Sequence, residues 1–433
     1  MRIAHLADVH LGFRQFARLD PGGVNQREAD VAEAWRRAVD ALIEERPDAV
    51  LIAGDLFHSV RPTNRAIIEA FTGLRRLREA LPAAPVVLIA GNHDTPRSVE
   101  AGSILKLMGA LRVEVVDDAP RRLRFPELDL SVLAVPHAAL LGERHRDEWR
   151  RDPRSRYNVL TTHPELPGLF PEGVTDYGGA RVDLADLGGA GGGAFDYVAL
   201  GHYHIVHLAA PGIWYSGSLE YTSPNIWGEW KTEDRAEPLR VEQREWGEWR
   251  EERRRNLTKG FLVADLDAGS VSRVNLEPRR RMYDLDRLDA SGMTAAELDA
   301  AIQARVAELP FVLDGAVVRL VVQEVPRALA QALDHEALRA LRAKALHFHL
   351  DLRRPEPRRR VVGIGGFGGS GRQPLADLVA DYLGRRPLDA DLDRERLVAL
   401  GRGYLERVER DLIEGGAPGG GGGGGGAGAG AGG

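Results

Sequence analysis

A chain of 433 residues has room for two or three domains and a generous core, and without cysteine it can form neither disulfides nor thiolate metal sites. Its net charge of −6 argues against a free-standing, strongly cationic nucleic-acid binder, although a local basic groove or a partner could still meet phosphate. No apolar run approaches the ~20 residues of a membrane span, and MRIAHLAD enters a strand at once, so a soluble cytoplasmic protein with no membrane partner is expected. Lysine occurs only at Lys106, Lys231, Lys259 and Lys344, the other basic residues being arginine. Beside so much Ala and Gly, this reads as the codon bias of a GC-rich genome or, alternatively, as heat adaptation.

Residues 1–116 alternate between two periods. A strand at 3–8 precedes an amphipathic helix near 26–46 with Ala32, Trp35, Val39, Leu42 and Ile43 on one face. A strand at 49–54, a helix near 63–81, a strand at 86–91 and a helix near 98–109 follow, a βαβαβα order that predicts a parallel sheet with right-handed crossovers. From 112 to about 225 the pattern turns to strands: VEVV, LSVLAVP, NVLTTH, YVALGH and IWYSG. Two sheets packed face to face with helices outside fit this order. The run YGGARVDLADLGGAGGGA at 177–194 reads as a flexible loop.

A new unit is expected from Lys259: strand FLVADL, strand RRMYDL, helix 294–307, strand AVVRLVV, helix 335–345 and strand HFHLDL, an α+β capping module over 259–353 beside a body at 1–258. Residues 354–373 read as a linker, and 374–383 and 393–412 as two amphipathic helices within a partner-binding segment at 374–412. The second helix spaces Leu397, Leu400, Tyr404, Val408 and Leu412 along one stripe; two such helices beyond a linker either fold back on the body or dock on a partner. Residues 413–433, almost wholly Gly and Ala, are expected to be disordered.

The chemistry sits at the ends of the apolar runs. Asp8 and His10 follow IAHLA, Asp55 follows AVLIA, Asn92 follows VVLIA, His163 follows NVLTT, and His202 and His204 follow YVAL. Strand ends in an open α/β sheet form the crevice where ligands bind. Taken singly, an Asp after a strand is a helix cap and a lone His is a satisfied core or surface residue. Seven such groups on five strands, with Gly54, Gly91 and Gly201 beside them, instead suit two divalent cations. A metal pair about 3.5–4 Å apart can clamp the attacking and leaving oxygens of a phosphoryl displacement, and Asp55 is the natural bridge. Oxygen and imidazole donors together favour Mn²⁺ over Mg²⁺.

The succession D-x-H, GD, GNHD, a lone H and GHxH resembles the calcineurin-like metallophosphoesterase superfamily. HLADVHLG, GDLFH, YSGSLEYTS and KGFLVADL extend that resemblance to its DNA double-strand-break repair branch, the SbcD-like nuclease subunits of SbcCD complexes, closely over 1–265 and loosely over 266–352. The resemblance implies a four-layer αββα sandwich with a small α+β capping domain and a C-terminal helical pair. It implies one ion on Asp8, His10, Asp55 and His204 and another on Asp55, Asn92, His163 and His202. It also implies a catalytic role for His93, protonating the leaving oxygen or steadying the phosphate, and a nucleotide-positioning role for His58. An imidazole near neutral pH suits the first task, and Asp94 is expected to orient His93.

His5, His137, His145, His207, His335, His347 and His349 lack this setting and read as structural or solvated. Trp214, Trp227, Trp230, Trp246 and Trp249 could stack on bases or serve packing; the runs Arg253 to Arg255 and Arg358 to Arg360 read as solvated charge. By resemblance, the expected function is a manganese-dependent DNA exo/endonuclease acting at double-strand ends and on single-stranded DNA, homodimeric and nucleoid-associated, with an SMC-like (SbcC-like) ATPase subunit. A stand-alone phosphoesterase of small nucleotides or phosphoproteins, or a mainly structural DNA-end adaptor, are the alternatives.

Overall fold

The computed structural model describes residues 1–96, 102–141, 149–170, 178–188, 195–235, 259–309, 313–355, 379–380, 382–383 and 393–414, with backbone only at 231–235 and 406–414. Two compact units, 1–356 and 357–433, divide the chain.

In the first unit two six-stranded sheets carry the fold. One has the order β14-β13-β1-β2-β3-β4, from β1 (Arg2–Leu6), β2 (Ala49–Ile52), β3 (Val86–Ile89), β4 (Glu114–Val116), β13 (Lys259–Asp265) and β14 (Ser270–Leu276). The other has the order β11-β12-β10-β7-β6-β5, from β5 (Arg121–Phe125), β6 (Leu130–Val135), β7 (Tyr157–Thr162), β10 (Tyr197–Leu200), β11 (His207–Ala210) and β12 (Ile213–Tyr215). A short pair, β8 (Pro164–Glu165) and β9 (Ala180–Arg181), stands apart. β1 to β4 run parallel, as do β6, β7, β10 and β12.

The parallel strands are apolar on both faces because both faces are covered. Between the sheets, Ile3, Leu51, Val87 and Ile89 meet Leu130, Val132, Val159 and Tyr197. Outside the first sheet lie α1 (Gln26–Glu45), capped by Asn25, and α2 (Asn64–Ala80), capped by Thr63; Trp35, Val39, Leu42, Leu74 and Leu77 face the strands. Outside the second sheet lie α3 (His137–Leu140), the β8–β9 pair and a 3-10 turn at Leu184–Leu187. These are the four layers of the expected sandwich. The helix anticipated near 98–109 is a 3-10 helix at Ile104–Leu111, started by the Ser103 hydroxyl accepting from the Leu105 amide; residues 97–101 lie outside the described set.

The boundary expected at 258/259 is corrected. β13 pairs antiparallel with β1, Arg2 opposite Asp265 and His5 opposite Leu262, so 259–276 completes the first sheet rather than opening the cap. The cap proper is β15 (Met282–Asp289), β16 (Val317–Gln323) and β17 (His347–Leu352), all parallel, with α5 (Ala295–Ala307), α6 (Arg327–Gln331) and α7 (His335–Lys344). It is tied to the body by Arg280 on Asp30 at 3.1 Å, by Phe16 stacked on His347 at 3.9 Å, and by α4 (Ile226–Arg235), whose Trp227 and Trp230 pack with Val317 and Leu346. Trp214, Trp227 and Trp230 therefore serve packing; Trp246, Trp249, His145 and both arginine runs lie outside the described residues. Within the second unit the only continuous described element is α8 (Arg394–Glu414); of the helix expected at 374–383, positions 379–380 and 382–383 are helical. Most of the linker at 354–373 and the tail beyond 414 lie outside the described residues.

Candidate metal centre

The equal heights of the parallel strands gather the polar groups. Leu6 lies opposite Ile52, Ile52 opposite Leu88, and Leu200 opposite Thr162, so the chain leaves each strand at one rim. Asp8 and His10 leave β1, Asp55 leaves β2, Asn92 leaves β3, His163 leaves β7, and His202 and His204 leave β10. The first three strands belong to one sheet and the last two to the other, so the site straddles the interface between sheets.

Turning a side chain back over a strand end takes unusual backbone. Asp8, His10, Asp55 and His202 have φ of 54°, 52°, 54° and 98°, the left-handed region that costs non-glycine residues of order 1–3 kcal/mol each. Two glycines make room. A Cβ on Gly91 would meet Asp55 Oδ1 at 2.1 Å, and Gly54, at φ 95°, would put one 2.4 Å from His163 Nδ1.

All seven expected donors converge. His10 Nε2 faces His204 Nε2 at 3.0 Å, and His163 Nε2 stands 3.2 Å from Asp55 Oδ2, 3.0 Å from Asn92 Oδ1 and 3.9 Å from Asp8 Oδ1. His202 Nδ1 lies 3.2 Å from the same Asn92 oxygen, and its amide donates to Asp8. Asp8, His10 and His204 could hold one ion together, as could Asp8, Asp55 and His163. His163 Nδ1 donates to the Ala53 carbonyl at 2.7 Å, which turns its Nε2 toward the oxygens.

The electrostatics follow from burying these groups together. Burial pushes the Asp8 carboxyl up to about 6 against the pull of His163 and His204. Burial and the neighbouring His204 hold the His10 ring well below the usual histidine range. For His163, burial opposes charging, but Asp55 and Asp8 outweigh it and raise the ring to about 9. A proton on His163 thus bridges Asp55 and Asn92. Two imidazole nitrogens 3.0 Å apart, beside hard carboxylate and amide oxygens, fit divalent ions by donor chemistry.

His58 and His93 flank this cluster, partly exposed, with ring centroids 5.3 and 4.8 Å from His10. His93 Nδ1 donates to the His58 carbonyl at 2.8 Å, and its amide donates to Asp55 Oδ1 at 2.9 Å. The role expected of Asp94 is corrected: its buried carboxylate accepts from the amides of Leu56 at 3.1 Å, Phe57 at 3.0 Å and Gly91 at 3.3 Å, while the His58 carbonyl orients His93. Asp94 braces the Asp55 and Asn92 loops against each other. Of the remaining histidines, His5 is bonded to Tyr197 and Leu200 in the core, His137 is buried with its ring centroid 6.5 Å from that of His163, His207 meets Phe170 edge-on, and His347 stacks on Phe16.

Sequence reasoning missed a polar group behind His204. Thr222 Oγ1 lies 3.3 Å and Glu229 Oε2 3.9 Å from its Nδ1, and Lys259 Nζ donates to its carbonyl at 3.0 Å and to Glu229. Burial pushes the Glu229 carboxyl up, but Lys259 and His204 overcome it and hold it at about 2. No local signal marks the pair, since Glu229 in GEWKTED and Lys259 in RRNLTKG stand among charged and polar residues.

Residues 1–206 match the family described as calcineurin-like phosphoesterase. The "DNA double-strand break repair protein Mre11" of Archaeoglobus fulgidus is 33% identical over 51% of this chain and 50% of its own length. The protein of the same description from Sulfurisphaera tokodaii is 31% identical over 47% of this chain and 49% of its own. The chain thus spans about half the length of the curated relatives it matches. The solved Pseudomonas putida nuclease MPE is 25% identical over 37% of this chain and 62% of that one, at a TM-score of 0.20, too low to carry weight.

Proposed function

We propose, for a chain that carries a calcineurin-like phosphoesterase domain, that it is a manganese-dependent DNA exo/endonuclease hydrolysing phosphodiester bonds at DNA ends. In this reading it works as a homodimer, in the cytoplasm at the nucleoid, with an SMC-like ATPase. The observation that carries it is the convergence of Asp8, His10, Asp55, Asn92, His163, His202 and His204 on one rim, with two further imidazoles over it. The names of the curated relatives favour DNA over a small phosphoester. Among the described residues no helix is long and apolar enough to cross a membrane.

Two divalent ions, held by Asp8, His10, Asp55 and His204 and by Asp55, Asn92, His163 and His202, would neutralise the phosphodiester and ready water for attack. The chain's own groups supply the rest. His93, its Nδ1 proton committed to the His58 carbonyl, offers Nε2 to carry a proton to the leaving oxygen near neutral pH. His58, with Nδ1 3.3 Å from His10 Nδ1, positions the nucleotide beside it. Asp94 keeps the loops bearing Asp55 and Asn92 in register.

The test is cleavage of end-labelled linear duplex by chelator-stripped protein resupplied with Mn²⁺, run beside p-nitrophenyl phosphate. Release of nucleotides from the duplex is expected. Hydrolysis of the monoester with the duplex left intact would favour the stand-alone phosphoesterase instead.

A further inference from the structure

Two runs that resemble the nuclease branch, YSGSLEYTS and KGFLVADL, contain none of the seven rim donors. The fold puts both behind His204. From the first, the Ser218 amide donates to the His204 carbonyl at 3.1 Å, Thr222 Oγ1 meets the ring, and the Ser223 amide donates to Glu229 Oε2 at 3.3 Å. From the second, Lys259 Nζ bonds both the His204 carbonyl and Glu229 Oε1 and lies 4.3 Å over the Tyr221 ring. Lys259 and Glu229 are each 0% exposed.

A fully buried ion pair is a costly way to gain stability, because each charge must be desolvated and an apolar pair of like volume is often as good. Its position suggests another use. We propose that Glu229, Lys259 and Thr222 are positioning residues that lock His204 with its proton on Nδ1, so that the bare Nε2 faces His10. Thr222 Oγ1, 3.3 Å from His204 Nδ1, can accept from it while its own hydroxyl points toward the Glu220 carbonyl at 3.4 Å. The Glu229 carboxylate, 3.9 Å away, favours the same proton by charge. Lys259 balances that carboxylate and holds the His204 backbone, so one ion pair fixes both ring and chain.

This rests on the two-ion reading above and is tested separately from it. Calorimetric Mn²⁺ titration of E229Q at pH 7 is expected to weaken one of two binding steps about 10- to 100-fold and leave the other as in the wild type. H204A should remove that step, and E229Q added to H204A should change nothing more. Thr222→Val, nearly isosteric and with both charges kept, should weaken the same step and serves if E229Q does not fold. Melting in chelator is followed alongside. Titrations of both variants that match the wild type overturn the proposal and leave the two-ion reading standing. An E229Q effect on binding that persists in H204A overturns it in favour of a general structural role. A wild-type chain that takes up no Mn²⁺ overturns both.

Discussion

The Nε2 atoms of His10 and His204 face each other at 3.0 Å, one imidazole carried by each sheet. Without a cation they must share a proton, in a pocket where burial holds the His10 ring well below its usual range. Ion binding should therefore stabilise the contact between the sheets. Stripped protein is expected to melt higher as Mn²⁺ is added, by about 2.7 kcal/mol per site at 100 times Kd, with a smaller response to Mg²⁺, which resists nitrogen donors and dehydration. Scanning calorimetry with each ion checks this; an equal or larger shift with Mg²⁺ would count against the assigned donor set.

His93 and Asp55 touch through backbone and carboxylate, yet their side chains have separate tasks. His93→Ala keeps the amide that donates to Asp55, so both ions should still bind and DNA affinity should hold, while the cleavage rate falls roughly 10²- to 10⁴-fold. Asp55→Ala should lose metal instead. Metal titration of the two variants separates the cases, and equal metal loss in His93→Ala would make His93 a ligand.

Asp94→Ala would leave the amides of Leu56, Phe57 and Gly91 without their buried acceptor. Each orphaned amide costs about 1–3 kcal/mol, so several kcal/mol of stability should go. Urea unfolding in chelator measures it free of metal; a loss under about 1 kcal/mol would mean that the loops hold their shape without this brace.

The donors at the strand ends were legible because each sits in a short local motif after an apolar run, and buried parallel strands read as such runs. The pairing of β13 with β1 was not, because Arg2 and Asp265 meet across nearly the whole body and no local pattern records that register. β5, RRLRF, is absent from the expected strands because its three arginines hide the pattern; at the sheet edge Arg121 and Arg124 reach Glu114 and Asp152. Glu229 and Lys259 were invisible for the opposite reason: residues of their kind are almost always solvated, and only tertiary packing shows them paired and dry.

His5 gives the fold an acid-sensitive point. Its Nε2 donates to the Leu200 carbonyl at 3.1 Å and its Nδ1 accepts from the Tyr197 hydroxyl at 2.9 Å, both across the sheet interface. Burial lowers the ring to about 3, the Leu200 contact opposing only in part, whereas in the unfolded chain it titrates near 6.5. The native state thus binds fewer protons between these values. Stability from this group is complete above about 6.5 and falls by about 1.4 kcal/mol per pH unit as pH drops toward 3. Urea unfolding of wild type and His5→Gln from pH 6.5 to 4.5 should show the wild-type slope steeper by about one proton; parallel slopes would mean that His5 charges within the fold.

The last prediction concerns the second unit. In α8, a Cβ on Gly401 would stand 2.9 Å from Leu383 and 3.6 Å from Val379, so this side of the helix is covered by the preceding segment. Leu400 and Tyr404 point elsewhere and are 62% and 68% exposed, with Tyr382 at 61%. Exposed Leu and Tyr side chains on one helix suit a helical partner surface, and the proposed ATPase is the candidate occupant. The chain ended at Leu352 should stay folded and keep its metals, since the first compact unit closes near residue 356. It should no longer co-purify with the ATPase. Leu400→Asp combined with Tyr404→Asp places two charges where apolar burial is needed and should cost several kcal/mol of binding in a pull-down or calorimetric titration. Partner binding unchanged by the double substitution would place the ATPase contact elsewhere on the chain, and a truncation that melts the body would show that these helices belong to it.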